Sequence, residues 1–260
     1  MEINTHWVLV PYTNMKRRIR VVLPHDYLNS SESYPVVYFH DGQNVLYDEE
    51  SFSNTSWGIL ETINQKQLPK MIVVAIDNDE EKRLDEYSPW EIDVDEFKHR
   101  GGLGDLYGEF LVDIVKPMID QTYRTKKNRK YTAMIGSSLG GVISAYLGIK
   151  HYETFGRLGI FSLASWIYNS TFNDYLKQIN KTDQIIFIQV GTAEGKLEHE
   201  DRIELSQKYI DASINYYSKL LSSGYSEDDM KLVVGVNAYH SEVSWAAHLL
   251  DCLKFICIDW

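Results

Sequence analysis

The sequence predicts an α/β fold: a three-layer sandwich whose central sheet of about eight strands is mostly parallel, with an antiparallel N-terminal edge. Three observations predict it. Apolar runs of strand length, such as Val36-Val37-Tyr38-Phe39 and Ile185-Ile186-Phe187-Ile188, are continuous rather than alternating, as parallel strands covered on both faces require. Segments with apolar residues at helical spacing stand between them. Near the middle, Met134-Ile135-Gly136-Ser137-Ser138-Leu139-Gly140-Gly141 joins an apolar run to a helical pattern through Gly-X-Ser-X-Gly. The 260 residues are long for one domain by length alone, but large α/β sheets hold that many, so a single domain over 1–260 is expected.

In chain order, residues 7–10 and 18–23 read as an antiparallel pair at one sheet edge, joined by turn residues that include Pro11 and Asn14. The strand at 35–40 empties into Asp41-Gly42-Gln43-Asn44, at a strand end where open α/β sheets collect ligands. A helix is expected over 54–65, capped by Asn54, Thr55 or Ser56, and then a strand over 71–76. Residues 77–104 form a polar loop insertion that leaves the same edge and contains Arg83 and Trp90, with 101–104 as a glycine hinge. A helix over 106–119 should kink at Pro117. The strand at 131–135 enters the glycine turn, a helix follows over 142–149, and strands at 157–161 and 185–190 come next. A long helix over 201–221, a last strand over 231–236 and a closing helix through Trp245 and Leu249 complete the chain.

Composition narrows the function. The hydrophobic share of 44% and charged share of 24% are those of an ordinary globular chain with a sizeable core. A net charge of −11 and the lack of a basic stripe exclude a nucleic-acid partner. Cys252 and Cys257 are five apart, a spacing that favours two core thiols over a disulfide. No basic region followed by an apolar segment opens the chain and no run reaches membrane-spanning length, which predicts a soluble cytoplasmic protein without a membrane partner. Homodimerisation is left open.

The chemistry starts at Ser138. A strand turning into a helix this tightly holds the central residue in a strained backbone conformation and raises its hydroxyl above the sheet, and side chains at Gly136 or Gly140 should collide with their surroundings. A serine hydroxyl is a weak nucleophile until a base accepts its proton and a third group orients that base. Glu194 and His240 each stand just beyond a later apolar strand, in the chain order Ser, acid, His known for this elbow. Glu198, Glu200 and Asp201 are rival acids, and His40 is the rival base. Backbone N–H groups of Leu139 and Gln43 would hold the oxyanion of a tetrahedral intermediate. Asn44 and Trp166 are candidate pocket residues. No histidine pair stands at a helical metal-ligand spacing, and neither metal nor cofactor is expected.

The segments Tyr38-Phe39-His40-Asp41-Gly42-Gln43-Asn44, Gly136 to Gly141, Phe155-Gly156 with Phe161-Ser162, Gly191-Thr192-Ala193-Glu194, and His240 followed by Trp245 together resemble the esterase D-like group of α/β-hydrolases. That group includes enterochelin-type esterases, feruloyl esterases, S-formylglutathione hydrolases and mycolyltransferases. The resemblance spans roughly 7–253 and implies the α/β-hydrolase fold with Ser138 as nucleophile, Glu194 as acid and His240 as base. Some members place Asp where this chain has Glu194, and some enterochelin-type members use a Ser-His pair. The leading expectation is a serine carboxylesterase that takes small acyl or aromatic esters through an acyl-enzyme. Alternatives on the same triad are a thioesterase, an acyltransferase or a siderophore-ester hydrolase, and, from another class, a non-catalytic binding module.

Overall fold

The structure, a computed structural model, describes residues 1–92, 94, 97–168, 170–195 and 201–260. Eight strands form one sheet: β1 Glu2–Val10, β2 Met15–Leu23, β3 Val36–Phe39, β4 Ile72–Ile76, β5 Thr132–Ser137, β6 Arg157–Phe161, β7 Ile185–Gly191 and β8 Met230–Gly235. Their order is β1-β2-β4-β3-β5-β6-β7-β8. β1 pairs antiparallel with β2 and β2 antiparallel with β4, while all other pairs are parallel. β3, β4, β5 and β6 are buried along their whole length, whereas the edge strand β1 alternates between exposed and half-buried residues.

Because successive strand residues face opposite ways, each strand feeds two cores. Tyr38, Val74, Met134, Leu158 and Ile188 pack on one face, in the core shared by α3 Gly104–Glu109, the helical turn Phe110–Val115, α5 Leu139–Lys150, α6 Thr171–Leu176 and α7 Arg202–Ser222. Phe39, Val73, Ile135, Phe161 and Phe187 pack on the other, against α1 Ile59–Thr62 and α8 Glu242–Ile256. These are the three expected layers. Cys252 and Cys257 are free, buried thiols in the second core.

Four local expectations are corrected. The helix over 54–65 shrinks to the single turn α1, because Asn54 and Gly58 both adopt left-handed backbone and Trp57 N–H donates to Asn44 O, tying the segment to the loop after β3. None of Asn54, Thr55 and Ser56 caps it; Gly58 takes that position. At Pro117 the helix does not simply bend: a π-helical turn, Phe110–Val115, precedes α4 Lys116–Thr122, and its wider winding accommodates a ring that cannot donate to the helix ladder. The insertion holds a turn of helix, α2 Arg83–Glu86, and its glycines are tied down rather than hinge-like, with Gly101 N–H on Asp85 and Gly102 N–H on Ser88 O.

Candidate active site

Ser138 stands between β5 and α5, as the residue that caps the helix, with φ 59° and ψ −122°, a backbone state that L residues rarely hold. Close packing fixes the turn. A Cβ on Gly136 would lie 2.4 Å from Gly140 O, and one on Gly141 2.9 Å from Phe161 O, so both approaches require glycine. Gly140 departs from expectation: its Cβ would meet nothing nearer than Asp41 Oδ2 at 3.3 Å, because this side of the turn faces a side chain rather than backbone.

Among the described residues, neither Leu139 N–H nor Gln43 N–H donates to a protein acceptor. Gln43 lies in a single 3-10 turn, Gly42–Asn44, entered through Asp41 at φ 53°. The loop is bound to the elbow's strand by His40 N–H on Ile135 O, and the Gln43 side chain accepts from Asn78 N–H at 3.0 Å. The insertion clasps this loop. Arg83 Nε and Nη2 donate to the two Asp41 oxygens at 2.7 and 2.8 Å, Asn78 Nδ2 adds a bond of 2.6 Å, and the Tyr87 hydroxyl accepts from Asp41 N–H. Burial alone would push the Asp41 carboxyl up; the Arg83 guanidinium and the Asn78 amide hold it below the usual carboxylate range.

His40, the rival base, is buried, with Nδ1 2.8 Å from the Tyr107 hydroxyl. Burial, opposed by Asp41 and reinforced by Arg83, lowers its pKa to about 4, so it is a neutral packing group at neutral pH. The Asn44 side chain is taken up by the scaffold, donating to Glu242 Oε1 at 3.1 Å and accepting from Phe52 N–H.

On the other side of the elbow, Glu194 follows β7 and is 2% exposed. Its Oε2 lies 2.8 Å from His240 Nδ1. Its Oε1 accepts from Gly191 N–H at 2.6 Å and from the Ser162 hydroxyl at 2.6 Å. With the carboxylate able only to accept, Nδ1 carries the imidazole proton and Nε2 is left as a base. The loops bearing Glu194 and His240 are stitched together by Ala193 N–H on Ala238 O and by Asn237 N–H on the Thr192 hydroxyl. Ser241 then caps α8. Asp201 stands at the N-cap of α7, whereas Glu198, His199 and Glu200 lie outside the described residues.

The imidazole is held between rings, 4.7 Å from Tyr209 and 5.1 Å edge-on from Trp245. Tyr209, on α7, was not legible in the sequence as a site residue; helical spacing shows that it faces inward but not that it faces Ser138. Its phenol lies beside the Ser138 hydroxyl and the Trp166 indole, and burial, reinforced by Glu194, pushes its pKa up to about 12. Trp166 packs edge-on against Tyr209 at 5.8 Å, with its indole nitrogen buried and making no hydrogen bond among the described residues. Among the described residues no three His, Cys, Asp or Glu side chains converge as a metal site would require, and no helix is long and apolar enough to cross a membrane.

Comparison with known proteins agrees with this architecture. A protein of Bacillus subtilis (strain 168), YbbA, is 26% identical over 247 residues, covering 94% of this chain and 92% of its own. An IroE-like serine hydrolase from Shewanella oneidensis superposes with a TM-score of 0.79 at 20% identity, over 99% of this chain and 81% of that one. The siderophore hydrolase EstA from Aspergillus nidulans superposes at 0.78 and 17% identity, over 98% and 95%. Both likenesses place the sheet among α/β-hydrolase-like folds. The family model described as "Putative esterase" matches residues 11–256, so the chain belongs to that family of ester-hydrolysing enzymes.

Proposed function

We propose that the chain is a serine carboxylesterase acting on small-molecule esters of short acyl or aromatic acids. The observation that carries this reading is the hydrogen bond that His240 Nδ1 donates to Glu194 Oε2, in a chain whose elbow serine has the backbone of a nucleophile. His240 Nε2 takes the Ser138 proton as Oγ attacks the ester carbonyl, and Glu194 stabilises the imidazolium. The oxyanion is met by Leu139 and Gln43 N–H, with the N-terminus of α5 adding its dipole. The intermediate collapses to an acyl-Ser138 ester as His240 protonates the departing alkoxide. Water, deprotonated by His240, then releases the acid. The Tyr209 and Trp166 rings support a flat or short acyl group near Ser138.

The test is hydrolysis of p-nitrophenyl esters from acetate to octanoate, together with methyl ferulate, by wild type and Ser138→Ala. Loss of kcat by roughly 10⁴-fold or more in the variant is expected. Activity that survives the substitution would sink the assignment. Competition by thiol or alcohol acyl acceptors separates hydrolysis from acyl transfer.

A further inference from the structure

The acid of the proposed triad has a second set of partners that the mechanism has not used. Ser162, the first residue after β6, is fully buried and holds φ 45°, where glycine would be relaxed and serine is strained. Its hydroxyl lies 2.6 Å from Glu194 Oε1 and 2.9 Å from Trp245 Nε1. The proton pattern of this chain has one solution. An indole N–H can only donate, so the Ser162 oxygen accepts from Trp245, and its single proton goes to the carboxylate. Gly191 N–H occupies the same Oε1 at 2.6 Å. With Oε1 clamped by two donors, the carboxylate cannot rotate, and Oε2 is left to the imidazole.

Trp245 acts at both ends of this arrangement. Its nitrogen fixes the Ser162 hydroxyl, while its ring stands edge-on to His240 at 5.1 Å and is backed by Trp57 at 5.7 Å. It sits near the start of α8, soon after His240, so docking of that helix sets the base and the acid together.

We propose that Ser162 and Trp245 are positioning residues that aim Glu194 at His240; this rests on the serine esterase reading above. The test compares wild type, Ser162→Gly, Trp245→Phe and the double variant for kcat, KM and melting temperature, with Ser138→Ala as control. Ser162→Gly removes the hydroxyl while relaxing the backbone. It should lower kcat on the order of 10- to 100-fold, the range of one hydrogen bond to a charged group, with KM within about twofold. Trp245→Phe keeps an aromatic ring and should cost less. The double variant should be no slower than Ser162→Gly, because Phe keeps a ring against His240 and the indole nitrogen acts only through Ser162, and it should regain the melting temperature lost when Ser162→Gly leaves the indole N–H unpaired. Recovery of kcat along with melting temperature would show a merely structural role and overturn the proposal. So would an unchanged kcat in Ser162→Gly, or losses that multiply in the double variant. Wild type lacking Ser138-dependent turnover would overturn the esterase reading itself and the proposal with it, an outcome distinct from the other three.

Discussion

Two buried carboxylates stand on opposite sides of Ser138, each just past a sheet strand, and they are held in opposite ways. Asp41, after β3, is gripped at both oxygens by Arg83. Glu194, after β7, receives a hydroxyl, a backbone N–H and an imidazole. A guanidinium is always charged, so the Asp41 charge is permanently compensated and the pair braces the loop that carries Gln43. An imidazole is a cation only when it has taken a proton, so Glu194 meets its full counter-charge only at that moment. Burial of the same functional group therefore braces the loop at Asp41 and, in the proposed mechanism, answers a proton transfer at Glu194, and the partner's basicity makes the difference.

The largest effect should come from Glu194→Gln, which keeps the shape but lets an amide donate to Nδ1 and select the wrong tautomer. A fall in kcat of about 10³- to 10⁴-fold is expected, with a modest change in urea stability. A fall below tenfold would remove the proposed role of Glu194. Asp41→Asn should invert the pattern: Asn tolerates the left-handed backbone, but Arg83 loses its counter-charge. Unfolding free energy should drop by about 2–4 kcal/mol, with kcat affected far less than by Glu194→Gln. A steep kcat loss at unchanged stability would reverse the roles assigned to the two loops.

The Asp41 side also predicts an acid dependence. His40 has its folded pKa lowered from 6.5 to about 4, so over that window the unfolded chain binds a proton that the folded chain refuses. Its contribution is complete above pH 6.5 and lost as pH falls to about 4, amounting to about 3 kcal/mol. Asp41, also held low, acts in the same direction as the pH falls further. Urea midpoints taken between pH 7 and pH 4 should fall more steeply for wild type than for His40→Gln; equal slopes would dismiss the His40 contribution. The smallest effect belongs to Gly140→Ala, whose new methyl would lie 3.3 Å from Asp41 Oδ2. A stability loss under about 1 kcal/mol is expected. A larger loss would mean that the Asp41–Arg83 pair cannot yield.

The centre of the sheet was legible because its parallel strands are apolar on both faces and bounded by turn residues, a pattern set by burial in any parallel sheet. The elbow was legible because only glycine admits such close backbone approaches at Gly136 and Gly141. Local chemistry misled where long-range contacts prevailed. Residues 54–65 have helix-compatible composition, yet hydrogen bonds to Asn44 and Val45 draw the backbone away from a continuous helix. Pro117 announced a disturbance, but whether it would kink, break or widen the helix depended on packing against the sheet.

By itself the sequence determined the order of strands and helices, the turn at Ser138 and the placement of Glu194 and His240 beyond later strands, because each depends on neighbours in the chain. Tertiary structure alone decided that Arg83 would neutralise Asp41, that Tyr209 would face Ser138, and that Ser162 and Trp245, 83 positions apart, would share a proton chain with Glu194. Those choices depend on the rotational setting of helices and on loops meeting across strand ends, which no short-range pattern encodes.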